Sequence, residues 1–414
     1  MQRIIYAWNY VDWGGAQIYS LALIKEARKE FDVLVLLPDG SDPDQLKLLE
    51  NEGIRYELFP MEFAFPLIVT RVPKLGAHAI KISNEYAMLR AIKRIGFDES
   101  ILHVDLLPAS SLYSLVWLAL RAPVFVTVHN SLGSVTRWRW LLWRLKFGIM
   151  SQFENFHAFS ANEHAARSFR RLFRNRVADD LKVTYASIHP PQIDHTRNAA
   201  FDRSIEREQR GIGKERFVFL TVGQFIDRKG RWTLLEAAKI IRAEHPNIDF
   251  VWVTPSLPSP EDQVRIHSYG LGDGFRLLRS GDIGTDRHSI LRFFRIADGF
   301  VLPSFVEGLP IALLEAMALG LPSISTNIFG IPEAVLNEET GLLIEPGDAN
   351  GLSEALLRVY SDRDLRERLS NNGSEFVMSK FDDRVAAEIA VDEYRKAARK
   401  AADRSRRWEA ELKI

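Results

Sequence analysis

The 414-residue chain contains no cysteine. That excludes disulfides, thiolate metal sites and cysteine nucleophiles, and it suits a reducing compartment. Net charge is absent too: 54 basic and 54 acidic residues cancel. The charge balance therefore gives no support to a nucleic-acid binder. No stretch reaches the roughly 18 uncharged apolar residues that a membrane span needs. The opening run, MQRIIYAWNYVDWGG, is too short for a signal peptide and is broken by Asn9 and Asp12. A cytoplasmic protein is expected. There is no H-E-x-x-H motif, and the D-x-D at Asp42-Pro43-Asp44 reads as a turn in which Asp44 caps the next helix. No metal site is expected.

Apolar residues make up 46% of the chain, ordinary material for about two domains at the usual ~100–200 residues each. Short apolar runs alternate with helical patterns: RIIYAWN (3–9), DVLVLL (32–37), ILHVDLL (101–107), PVFVTV (123–128) and NFHAFS (155–160). The pattern weakens over 187–215, which has a Pro-Pro pair and many charges and reads as a linker. It resumes with FVFLTVG (217–223), DFVWVT (249–254), FRLL (275–278), GFVLP (299–303), SIST (323–326) and GLLI (341–344). Such alternation implies parallel sheets covered on both faces. The expected division is residues 1–190 with a returning helix at about 382–414, and residues 210–380. Ligands of such sheets bind beyond the carboxyl ends of the strands, so the residues that follow the strands carry the information.

After the strand ending at Gly223, Arg228, Lys229 and Arg231 crowd the start of a helix. Cations at that end are unfavourable alone, but a phosphate there gains both the helix dipole and direct charge. In EGLPIALLEAMALG (307–320), Pro310 suits the first helical position and Gly320 the position past the end. Glu307 precedes this helix, Gly308 permits close backbone approach, and Glu315 interrupts an apolar surface. A buried carboxylate needs a partner. The hydroxyls of a sugar ring would serve, and so would a structural arginine, which is the commoner case for Glu315 taken alone. Gly14 and Gly15 follow the first strand in a tight turn. His129 and Asn130 follow another, although a lone histidine is more often structural. RWRWLLWRLK (137–146) packs three Trp and four cations into one helix. It suits either an anionic lipid surface or a partly buried surface helix.

Together these residues resemble the retaining glycosyltransferases of family 4. The likeness rests on GQFIDRKG (223–230), LPSFVEGLPIALLEAMALGLPSIST (302–326), GIPE (330–333) and GLLIEPGD (341–348), in the family's order and spacing. It implies the α/β GT-B fold: two Rossmann-like doubly wound domains facing across a cleft, with the last helix returning to the first. It also implies a nucleoside diphosphate sugar as co-substrate, no cofactor, and a glycan or lipid-linked acceptor. By resemblance, Glu307 meets the donor sugar, backbone N–H groups at Gly308 and Leu309 meet phosphate or sugar, and Glu315 takes the ribose hydroxyls. Lys229 and Gly223 fall beside the diphosphate, His129 near the reacting sugar, and Gly14 and Gly15 on the acceptor-side loop. Gln224 stands where the family usually has Arg, with Arg228 available to compensate. This departure keeps a second reading open, a non-catalytic sugar-nucleotide binder. An oxidoreductase would also use this alternation, but the G-x-G-x-x-G fingerprint is missing. A peripheral contact with the inner face of the membrane is expected through 137–146.

Overall fold

The computed structural model describes residues 2–11, 14–61, 73–97, 100–133, 135–284 and 286–411, without the side chains of 73–80, 175 and 405–411. Asp12, read above as breaking the first apolar run, lies outside them. The chain divides into two units, Met1–Thr184 with Arg384–Ile414, and Tyr185–Asp383.

The first unit is built on a parallel sheet of β1 (Arg3–Ala7), β2 (Asp32–Pro38), β3 (Tyr56–Phe59), β4 (Ile101–Val104), β5 (Val124–Val128), β6 (Phe156–Ser160) and β7 (Lys182–Val183). Their order is β3-β2-β1-β4-β5-β6-β7. Strand order reverses between β1 and β4, so the crevice of this sheet lies past Ala7 and Val104. The inner strands are apolar on both faces because helices cover both; VFVTV of β5 is buried at every position.

The final helix, Asp383–Glu411, belongs to the first unit from Arg384 onward. Tyr394 is its anchor, fully buried against Tyr6, Phe31, Phe125 and Phe159. Its hydroxyl accepts from Tyr6 Oη at 3.2 Å and meets His103 Nδ1 at 2.6 Å, while His103 Nε2 meets Thr127 Oγ1 at 2.9 Å. Burial pushes the His103 pKa down to about 3, so the ring is neutral.

The second unit has β8 (Phe217–Val222), β9 (Ile248–Thr254), β10 (Phe275–Arg279), β11 (Gly299–Leu302), β12 (Ser323–Thr326) and β13 (Leu342–Ile344). Their order is β10-β9-β8-β11-β12-β13, all parallel, with the reversal between β8 and β11. The stretch read as a linker is structured instead. It holds helices Pro190–Asn198 and Arg203–Glu208. Two of its arginines are paired within the unit: buried Arg207 donates to the Ile296 carbonyl at 2.7 Å and pairs with Asp298 at 2.7 Å, and Arg203 reaches the same carboxylate at 2.5 Å. Paired guanidinium groups pack where an unpaired charge would not.

Candidate functional site

β8 and β11 are neighbours, with Phe300 opposite Leu220. The loops leaving them, 223–230 and 303–310, therefore meet at the switch point of the second sheet. Gly230 brings them together. It has φ +74°, and a Cβ there would fall 1.8 Å from the Pro303 carbonyl oxygen, so only glycine allows this approach. Phe305 N donates to the Arg228 carbonyl at 2.8 Å and joins the loops a second time.

Lys229 is delivered into this junction. Its Nζ donates to Glu307 Oε1 at 2.5 Å, and Ser304 Oγ donates to the same oxygen at 2.9 Å. Arg228 Nη1 stands 3.9 Å from Glu307 Oε2 and donates to the Val306 carbonyl at 3.3 Å. Glu307 is 5% exposed. One buried carboxylate thus faces two cations, leaving a local surplus of positive charge. Gly223 lies against Lys229: a Cβ on it would stand 3.7 Å from the lysine Cε. Gln224 is exposed at the same strand end.

Arg231 does not join this cluster, contrary to the sequence reading. It pairs with Asp227 at 2.8 Å and Asp262 at 2.6 Å, and its guanidinium lies over Trp232. It braces the helix Arg231–Glu244 rather than presenting charge to a ligand.

Gly308 and Leu309 are buried between Glu307 and the helix Ile311–Ala318. Pro310 is the cap of that helix, one position earlier than expected, and Gly320 ends it at φ +82°. Glu315 is 4% exposed and ion-paired with Arg287, the first residue of the helix Arg287–Phe293. Burial lowers the Arg287 pKa to about 10, which leaves it charged near neutrality. Ser304 and Arg287 escaped sequence reasoning. A serine in a loop has no signature, and no helical spacing links Arg287 to Glu315.

The remaining predicted residues lie in the first unit. Gly14 precedes the helix Gly15–Ala27 with extended backbone; a Cβ on Gly14 would meet Gln17 Oε1 at an ordinary 3.6 Å, and one on Gly15 would meet nothing within 4 Å. Local geometry does not demand glycine at either position, unlike Gly230. His129 follows β5, its ring edge-on to Tyr19 with centroids 5.1 Å apart. Burial lowers its pKa, with the Asp105 carboxylate opposing that shift. Burial, then the same carboxylate, raises the Tyr10 pKa. Asp105 and Tyr10 follow the two strands at the switch point, and the sequence reading passed over both.

In the D-x-D turn it is Asp42, not Asp44, that caps the helix Pro43–Asn51, accepting from Asp44 N at 2.8 Å. Among the described residues no group of three His, Cys, Asp or Glu is placed to hold a metal, and no helix is long and apolar enough to cross a membrane. A concavity of about 590 Å³ lined by Arg3, Leu34, Arg55, Tyr56, Glu57 and Arg94 lies at the amino ends of the first sheet's strands, away from where this topology binds ligands.

Two doubly wound parallel units define the GT-B fold. Solved glycosyltransferases share it: the structure of HepE from Anabaena in complex with UDP-glucose superposes with a TM-score of 0.74 at 20% identity, covering 96% of this chain and all of that one. Residues 202–376 match the family model for glycosyl transferases group 1. Two similar curated proteins are the D-inositol 3-phosphate glycosyltransferase of Paenarthrobacter aurescens, 29% identical over 53% of this chain and 55% of that protein, and an Escherichia coli enzyme. The latter is the UDP-Gal:alpha-D-GlcNAc-diphosphoundecaprenol alpha-1,3-galactosyltransferase, 33% identical over 48% of this chain and 50% of its own length. The chain spans about half the length of each of these two relatives.

Proposed function

We propose that the chain is a retaining glycosyltransferase of family 4. It moves a sugar from a nucleoside diphosphate sugar to a hydroxyl of a glycan or lipid-linked acceptor in cell-envelope or surface polysaccharide synthesis. The observation that carries this reading is the junction at the β8/β11 switch point, where Lys229 and Arg228 converge on the single carboxylate of Glu307. The surplus charge suits a diphosphate leaving group, whose developing negative charge such preorganised donors stabilise in the transition state. Glu307 meets the donor sugar, with the N–H groups of Gly308 and Leu309 beside it. Glu315 exchanges part of its Arg287 pairing for ribose hydroxyls. In the first unit, neutral His129 offers an N–H donor after β5, and the loop at Gly14 and Gly15 receives the acceptor. Attack comes from the same face as departure, so the anomeric configuration is retained. No metal takes part.

The test is calorimetry with UDP-, GDP- and ADP-sugars on the intact chain, followed by proton NMR of the product anomer. Saturable binding of one donor class with a retained anomer is expected. A second reading, a sugar-nucleotide binder without turnover, is favoured by uncharged Gln224 at the strand end; it predicts binding with no product under any acceptor.

A further inference from the structure

The helix Arg137–Met150 of the first unit carries two apolar faces. Phe147 and Met150 are fully buried in the core, with Trp140 and Trp143 packed on it. On the other side, Trp138, Leu141, Leu142, Leu145 and Ile149 are exposed, Trp138 at 81%, Leu141 at 53% and Leu145 at 59%. At 3.6 residues per turn these five fall within an arc of about 100°. Arg137 and Arg144 border that arc on one side, and Arg139 and Lys146 on the other. No carboxylate occurs in RWRWLLWRLKFGIM. Arg139 lies over Trp143 at 5.1 Å and Arg144 over Trp140 at 5.3 Å, which holds both guanidinium groups beside the stripe. An exposed stripe of this size on one helix marks an interaction surface.

We propose that this face docks on an anionic lipid bilayer, with the helix lying in the plane of the interface. The five apolar side chains enter the headgroup–acyl boundary, to a depth of about 5–10 Å for such helices, and Arg137, Arg139 and Arg144 meet lipid phosphates, while Lys146 donates to the Ala109 carbonyl at 2.8 Å within the fold. The charge pattern selects this occupant. Two copies joined through this face about a two-fold axis would set rows of the same sign against each other, which disfavours self-pairing. The inference does not rest on the transferase reading, and nucleotide binding would be untouched by its failure.

The experiment is vesicle flotation of the full chain with phosphatidylcholine alone and with phosphatidylcholine and phosphatidylglycerol at about 3:1. Partitioning onto the anionic vesicles is expected to be at least about tenfold greater and to fall with salt, as surface attraction does. Trp138→Ser with Leu141→Ser and Leu145→Ser should cut it about tenfold while leaving the melting transition unchanged, since these positions are exposed. Arg137→Gln with Arg139→Gln and Arg144→Gln should remove the preference for phosphatidylglycerol. Brominated lipid should quench wild-type fluorescence more than that of Trp138→Phe, which reads insertion without relying on the triple variants. Equal flotation of the serine variant and wild type overturns the proposal. So does failure of wild type to float, or a concentration-dependent dimer in sedimentation velocity that the serine variant abolishes.

Discussion

Glu315 shows how a buried carboxylate separates structural from ligand roles. It already has Arg287 as an ion-pair partner, which explains its tolerance inside an apolar helix but not its placement one helix from the switch-point loop. If it also accepts ribose hydroxyls, Glu315→Gln keeps the volume and loses the charge. Donor affinity should then drop by about 1.5–3 kcal/mol, the scale of charge-assisted hydrogen bonds, measured calorimetrically on a variant with a wild-type melting transition. Unchanged affinity would leave Arg287 as its whole purpose. Arg228 and Gln224 form a linked case. Arg228 stands 3.9 Å from Glu307, so it supplies the second cation that Gln224 cannot. Arg228→Ala should lower kcat about tenfold or more, a loss of ~1.4 kcal/mol of transition-state stabilisation. Gln224→Arg should leave the rate flat or lower, because a third cation crowds the same junction. A full-rate Arg228→Ala enzyme would show that Arg228 does not compensate for Gln224, and a faster Gln224→Arg enzyme would show that the site lacks charge.

At the scale of elements, the docked final helix makes a pH prediction. His103 holds Tyr394 and Thr127 with both ring nitrogens and is neutral down to about pH 3, whereas the unfolded chain protonates it near the ordinary 6.5. The unfolded state therefore binds the extra proton between those values. The stabilisation is complete above pH 6.5 and is lost as pH falls, at about 1.4 kcal/mol per unit for one such group. His157, also lowered to about 3 by burial, acts in the same direction. Denaturant titrations at pH 7, 6 and 5 should show this decline, and His103→Gln should flatten it even if stability at pH 7 falls. An unaltered slope would show that His103 is not titrating between the two states. What could be read from the chain follows the same physics. Inner strands buried on both faces appear as unbroken apolar runs, so β1, β2, β4, β5, β6, β8, β9, β11 and β12 were all legible. The edge strands β10 and β13 of the second sheet left apolar runs too, whereas those of the first did not: Tyr56–Phe59 and Lys182–Val183 are short and partly exposed, and leave no run to find. The helices in 187–215 were missed because their arginines are paired across tens of residues with Asp298 and a carbonyl. Lys229 and Glu307 were found because both follow strands; that they bond to each other, and that Ser304 joins them, requires the fold.

For the whole molecule, the proposed transfer raises the question of what would meet the charge on a departing diphosphate. A divalent ion would need a set of carboxylates or imidazoles free to bind it. The sequence offers two D-x-D stretches; Asp42 is committed to capping through Asp44 N, and Asp362 caps the helix Arg363–Lys380 by accepting from Leu365 N at 2.9 Å. Glu307 is held by Lys229 and Ser304, and Glu315 by Arg287. What remains is the excess of Lys229 and Arg228 over one carboxylate at the strand ends, reinforced by the first turn of the helix Arg231–Glu244, which no side chain caps. Turnover should therefore survive EDTA within about twofold, a change of less than ~0.5 kcal/mol in the barrier, while Lys229→Ala should lose at least about a hundredfold in kcat, the scale of removing a preorganised oxyanion donor. Both are read in the same donor-consumption assay. Activity abolished by EDTA and restored by manganese would require the Asp42–Asp44 turn to open, and would move the charge of the transition state from the second unit's loops onto a bound ion.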